Sequence, residues 1–171
     1  MDFDNMANNY PNVQLREYLE TDYEHFVQNL REEDKKELVA LFDDPYEEGL
    51  KYSIEQTDDL WVATEFGIPF LIFGMSNRTE EGDNEKSALV WAVGTERSKK
   101  LGRAICGISK KVLRSWLEEY DVLFNYIWEE ATDHMKWLKS MGFIIFEEEY
   151  IIAPSEEKFI FFAQFSEPTE E

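Results

Sequence analysis

Seven Lys or Arg residues and no Asp or Glu lie between Arg97 and Leu117: Arg97, Lys99, Lys100, Arg103, Lys110, Lys111 and Arg114. The whole chain has 17 basic and 37 acidic residues over 171 positions, so the remainder sets 10 basic residues against all 37 acids. A cationic window in that background is a local electropositive site. Phosphates, phosphorylated cofactors or an acidic partner are the ligands its chemistry suits. Within it, Lys99-Lys-Leu-Gly102-Arg-Ala104 sets a glycine among three cations near the opening of a predicted helix, where free backbone amides can cradle an anion. Further along, Glu129 and Glu130 end a predicted strand and are candidate bases, although so acidic a chain has many carboxylates that are merely exposed. His25 and His134 stand alone in the sequence, and packing or solvation accounts for each. No His/Cys spacing suits a metal, so no metal site is expected.

These residues need a scaffold, and its elements are legible from periodicity. Val13 to Leu19 reads as a first strand. Thr21-Asp-Tyr-Glu24 has the capping-box pattern and opens a helix through Leu30, with Leu38, Val39, Leu41 and Phe42 as a second apolar face after a charged stretch. Asp44-Pro45 reads as N-cap and first position of a helix to about Gln56. The period then changes to two. Leu60–Phe66 and Phe70–Phe73 form a hairpin around Gly67-Ile-Pro69, and Ser87–Val93 adds a third strand ending at Gly94-Thr95. The cationic window follows as a helix, with Leu101, Ile105, Ile108, Val112 and Trp116 on its core stripe and Lys99, Arg103, Lys110 and Arg114 opposite. Asp121–Trp128 is a strand, and Thr132-Asp133 caps a helix through Met141 that Gly142 stops. Phe143–Ile152 and Lys158–Phe165 make a closing hairpin. The order is that of a single α+β domain with a mixed, mostly antiparallel sheet, a parallel βαβ crossover at its centre and about four flanking helices. The domain is expected over 13–165, with a flexible N-terminus over 1–12 and a disordered acidic tail over 166–171.

This order resembles the Gcn5-related N-acetyltransferase (GNAT) fold. Particular residues resemble a small family of phage GNAT-like proteins that includes internal virion and head-assembly proteins of short-tailed phages. They are Leu30-Arg31-x-x-Asp34-x-x-Glu37-Leu38, the Gly67-Ile-Pro69-Phe70 turn, Trp91…Gly94-Thr95, Glu119–Trp128 and Thr132–Phe143. The resemblance spans about Leu15 to Phe165. It implies acetyl-CoA as cofactor, with Val93 and Gly94 at the strand end and Lys99, Lys100, Gly102, Arg103 and Ala104 in the pyrophosphate loop, where the family pattern has Gln or Arg in place of Lys99. It also locates a departure. The family's Asn, Ala and Tyr positions on the last helix fall on Ala131, His134 and Leu138, so the usual Asn and the Tyr that protonates the leaving thiolate are missing. Catalytic residues stay unassigned. Tyr126 and Trp128 are candidates to line an acceptor cleft, or simply core aromatics.

Three functions are consistent with these residues. The first is a phage GNAT-fold protein of the virion or of head assembly, with a degenerate acetyl-CoA site and other phage or host proteins as partners. The second is an active N-acetyltransferase. The third is an acidic inhibitor or DNA mimic, which the scattered acids favour least. The same cationic stripe is also what a solvated helix face looks like. A net charge of −20 argues against direct contact with nucleic acid or an anionic membrane. The lone Cys106, and the absence of a signal peptide or membrane span, suggest a reducing compartment, the host cytoplasm or the virion interior.

Overall fold

The computed structural model describes residues 6–7, 9–152 and 154–168. In chain order the elements are β1 (Val13–Glu17), α1 (Glu20–Asn29), α2 (Glu32–Phe42), α3 (Tyr46–Glu55), β2 (Asp59–Glu65), β3 (Ile68–Asn77), β4 (Ser87–Gly94), a 3-10 turn (Glu96–Lys100), α4 (Gly102–Leu117), β5 (Val122–Trp128), α5 (Thr132–Ser140), β6 (Ile144–Ile151) and β7 (Lys158–Phe165). The strands form one sheet ordered β1-β2-β3-β4-β5-β7-β6. Every neighbouring pair is antiparallel except β4 with β5, which are parallel and joined through α4. The mixed sheet and its central crossover are as the sequence predicts.

The described helices number five α-helices rather than four, and the extra break matters for function. Leu30 and Arg31 take extended ψ angles of 140° and 146°, which ends α1 and starts α2 afresh. The reason is tertiary. Leu30 forms an isolated bridge with Thr95, and the Arg31 N–H donates to the Gly94 carbonyl at 3.0 Å, so this joint is tied to the end of β4. The capping box is also displaced. α1 begins before Thr21, and it is the Asp22 carboxylate that reaches back to the Leu19 N–H at 2.8 Å while holding the Arg16 guanidinium at 2.7 and 2.8 Å. At α3, Pro45 is the N-cap rather than the first helical residue. Between β2 and β3 the turn falls on Phe66 and Gly67, both at positive φ. Pro69 belongs to β3, next to a register shift at Ala63/Thr64 that accommodates a residue with no N–H to give.

Two apolar layers cover the sheet. On one face Phe26, Leu30, Leu38 and Leu50 from α1–α3 pack on Val62, Ile72 and Val93. On the other, α4 buries Ala104, Ile105, Ile108, Val112, Leu113 and Trp116, as its predicted stripe requires, against Phe70, Phe73, Leu123 and Phe162. Of the segment expected to be flexible, residues 1–5 and 8 lie outside the described residues. Met6 and Ala7 are buried in the α4 layer and the Tyr10 hydroxyl donates to the Arg103 carbonyl at 3.1 Å, while Asn9, Pro11 and Asn12 are exposed. Gly107 makes that docking possible, because a Cβ there would collide with the Tyr10 ring. Half of the expected acidic tail, residues 169–171, also lies outside the described residues. Among the described residues no helix is long and apolar enough to cross a membrane.

Candidate functional site

β4 and β5 stay paired only over Ser87–Leu89 and Val122–Phe124. Past that point β4 keeps to β3 and β5 keeps to β7, so the two parallel strands part. The alternation of the β3–β4 ladder turns the N–H and C=O groups of Val90, Ala92 and Gly94 into the gap, and those of Val93 toward Ile72. The gap opens a cleft of about 920 Å³ that runs through the sheet. It has Ile105, Ile108 and Val112 of α4 on one side and Leu38, Trp91 and Tyr126 on the other. At its apex the Asn125 side-chain amide donates to the Val90 carbonyl at 2.7 Å and so pins the parting strands.

The end of β4 is closed by the chain itself. Asp34, with no exposed surface, accepts the Gly94 N–H at 2.7 Å and takes the Arg31 guanidinium through Nε at 3.0 Å and Nη2 at 2.9 Å. Arg31 Nη2 also meets His134 Nε2 at 3.0 Å, and His134 Nδ1 meets Glu37 Oε1 at 2.6 Å. With the Arg31 N–H on the Gly94 carbonyl, both backbone groups of Gly94 are taken. Burial pushes the Asp34 pKa up, while the Arg31 charge, the Gly94 N–H and His134 pull against it. For His134, burial disfavours the imidazolium, but the Glu37 hydrogen bond and the charges of Glu37 and Asp34 outweigh it, and its pKa is raised. His134 is therefore not isolated. Asp34, Glu37 and His134 offer ligand atoms within 4.8 Å of one another, but the cation set among them is the Arg31 guanidinium, whose charge opposes a metal ion there.

Because the folded pKa of His134 exceeds the unfolded one, its stabilisation is complete below the ordinary histidine pKa and is lost as pH rises through the folded value. Urea unfolding should therefore show stability falling as pH rises above the ordinary histidine pKa of about 6.5, with a smaller fall in His134→Gln. An equal fall in the variant would remove His134 as the cause.

Just past the end of β4, beside the same joint, the cationic window is not one helix. A 3-10 turn carries Arg97, Lys99 and Lys100, and α4 starts only after Leu101, whose φ of −113° and ψ of 22° break the ladder. The break exposes a fresh helix N-terminus with no side-chain cap and no acid in its first turn. Gly102 there is open: a Cβ would meet nothing within 4 Å. Lys100 and Arg103 are exposed beside it. Lys99 is engaged by Glu96 at 2.9 Å and Glu33 at 3.4 Å, and Arg97 by Glu65 at 2.6 Å. Ala104 is buried in the core, and the Val93 side chain packs in the α1–α3 layer.

Of the remaining candidates, Tyr126 and Trp128 line the cleft, whereas Glu129 and Glu130 are not among its lining residues. Ala131 is the N-cap of α5, and Leu138 is buried in the core. Arg31, Asp34, Glu37 and Asn125 were not singled out as site residues. The i, i+3, i+6 spacing of Arg31, Asp34 and Glu37 puts them on one side of α2, a signal legible in the sequence but without a partner until His134 is brought across from α5.

Comparison with known proteins bears on both the fold and the setting. A sequence family described as "Bacteriophage T7, probable scaffold protein Gp13" matches residues 81–151. The chain is 29% identical over 102 residues to the probable scaffold protein gp13 of Escherichia phage T7, a match that covers 60% of this chain and 69% of that protein. Among solved structures, a GCN5-related N-acetyltransferase from Kribbella flavida superposes with a TM-score of 0.63 at 14% identity, covering 91% of this chain and 98% of the other. The yncA protein of Salmonella typhimurium, solved with its cofactor acetyl-CoA, superposes with a TM-score of 0.60 at 11% identity, covering 94% and 97%. At these identities the structural likeness establishes the fold alone.

Proposed function

We propose that this phage GNAT-like protein, similar in sequence to the gp13 scaffold proteins, acts in virion or head assembly on a GNAT scaffold whose acetyl-transfer site is degenerate. One observation carries the second half of that reading: the Gly94 N–H, a strand-end amide facing the gap, is already bound to the buried Asp34 carboxylate. Acetyl transfer needs donors that are free to polarise a thioester carbonyl and a group that protonates the thiolate. Of the amides that face the gap, the one at Gly94 is engaged here, and at the position of the protonating group stands Leu138, an aliphatic side chain buried in the core.

The two groups of residues around the end of β4 fit acetyl-CoA differently. At the pyrophosphate end the uncapped α4 N-terminus, the open Gly102, Lys100 and Arg103 suit two phosphates. Acetyl-CoA would supply an activated acetyl group. The residues at its reactive end bind one another instead. The active-transferase reading keeps one point in its favour, the His134–Glu37 pair on the wall of a through-sheet cleft.

Two measurements test the proposal. Calorimetric titration with acetyl-CoA should give binding that Lys100→Glu with Arg103→Glu weakens by about tenfold or more, with no acetylation over a panel of amines and basic peptides. Turnover that depends on His134 would overturn the degenerate-site reading. The chain should also be found in purified virions or head-assembly intermediates, and its absence from both would overturn the assembly role.

A further inference from the structure

The half of the sheet that α1–α3 leave open is aromatic. On the face shared with Trp91 and Val93, the strands β5, β7 and β6 present Phe124, Tyr126, Phe161, Phe146 and Tyr150, which pack at tilted or T-shaped angles with ring centroids 5.2 to 5.9 Å apart. Among the described residues these rings pack on one another, and Phe146 remains 37% and Tyr150 39% exposed, while on the same face Ile144 is 52% and Phe165 47% exposed. The patch has Tyr126 and Tyr150 on the cleft and extends from them toward the start of β5 and along the edge strand β6. An apolar sheet face of this kind on an otherwise highly charged chain marks an interaction surface.

Charge decides what fits it. The β6–β7 hairpin carries five glutamates against a single cation, Lys158: Glu149, opposite Ile160 on the α4 side, pairs with it at 3.5 Å, which leaves Glu147, Glu148, Glu156 and Glu157 as the rim. A second copy would bring the same carboxylates and another net charge of −20 to the contact, and a phosphate-bearing surface would be repelled for the same reason. We infer that the β5–β7–β6 face docks a segment of a partner protein that is both basic and apolar, its apolar side chains on the rings and its Lys or Arg side chains on the glutamate rim. Arg over an aromatic face adds a cation–π contribution, and the complementary charges speed encounter. The inference does not rest on the assembly reading, because the face is present whether or not acetyl-CoA binds.

The test uses the full chain and three synthetic probes: an alternating Lys-Val peptide, a Lys-Ser peptide of equal length and charge, and a Glu-Val peptide. Fluorescence titration should show Lys-Val binding at least roughly tenfold tighter than Lys-Ser, with no binding of Glu-Val. Ile144→Ser with Phe146→Ser, checked for an unchanged unfolding midpoint, should reduce Lys-Val to the Lys-Ser level. Equal binding of the two basic peptides would overturn the inference in favour of charge alone. An unchanged Lys-Val affinity in the variant would move the contact to another surface. A concentration-dependent dimer, seen by sedimentation and abolished by the same variant, would assign the face to a second copy and overturn it as well. If the double variant fails to fold, Phe165→Ser serves as the same test at a position near the chain end.

Discussion

Asp34→Ala is expected to destabilise the protein by about 3–5 kcal/mol, the cost of leaving one partner of a buried ion pair uncompensated. The carboxylate has no exposed surface and accepts from the Gly94 N–H and twice from Arg31. Its removal leaves the guanidinium half-buried against His134 Nε2 and orphans a backbone amide at the end of β4. Both consequences fall on the joint between α1, α2, β4 and α5, so the loss should read out as a global shift in a urea titration rather than local fraying. Replacing both Arg31 and Asp34 by Leu should recover more than half of the loss, because the penalty belongs to the stranded charge. A loss below about 1 kcal/mol in Asp34→Ala would mean that water satisfies both partners and that the network is not what closes the strand end.

The second large effect is in the opposite layer. Trp116→Ala should cost about 3–5 kcal/mol, the usual range for deleting a buried aromatic. Trp116 is buried at the C-terminal end of α4, its ring centroid 6.2 Å from that of Phe73 and its Nε1 directed at Asp59 Oδ2 at 3.4 Å. It anchors the helix whose other end carries Gly102 and Arg103. By contrast Lys110→Ala and Arg114→Ala, on the exposed side of the same helix, should stay within about 0.5 kcal/mol of the parent. If those two substitutions matched Trp116→Ala, the cationic stripe would be structural, and the electropositive reading of the window would fail.

The course of the chain was largely legible. Apolar and alternating runs located all seven strands, and of the stripe Leu101, Ile105, Ile108, Val112 and Trp116 the last four named the buried side of α4, while Leu101 stands before its first residue. The misreadings cluster where the backbone answers to distant partners. α1 and α2 run together in the sequence because nothing local at Leu30 and Arg31 forces a break. The break comes from bonds to Gly94 and Thr95, more than sixty positions away. Thr21 looks like an N-cap because it has the right hydroxyl, but Asp22 does more at N3, since one carboxylate serves the Leu19 amide and Arg16 together. The ion pairs of Lys99 with Glu96 and Glu33 were equally out of reach of the sequence.

By itself the sequence determined the cationic window, its glycine, the absence of Asn and Tyr from the last helix, and an α+β order with a central crossover. Those are properties of residue type and of spacing along the chain, which short-range sterics and burial translate directly into elements. Only the tertiary structure decided what the window's cations are free to do and what becomes of the strand-end amide. It splits the window at Leu101 into a 3-10 turn whose Lys99 and Arg97 are ion-paired and a helix N-terminus that is open. It brings His134 of α5 to Arg31, Asp34 and Glu37 of the α1–α2 joint, across the gap between β4 and β5. The physical reason is that hydrogen bonds and charge pairs are satisfied by whichever groups lie within about 3 Å, and proximity of that kind between residues a hundred positions apart is set by packing, not by sequence order.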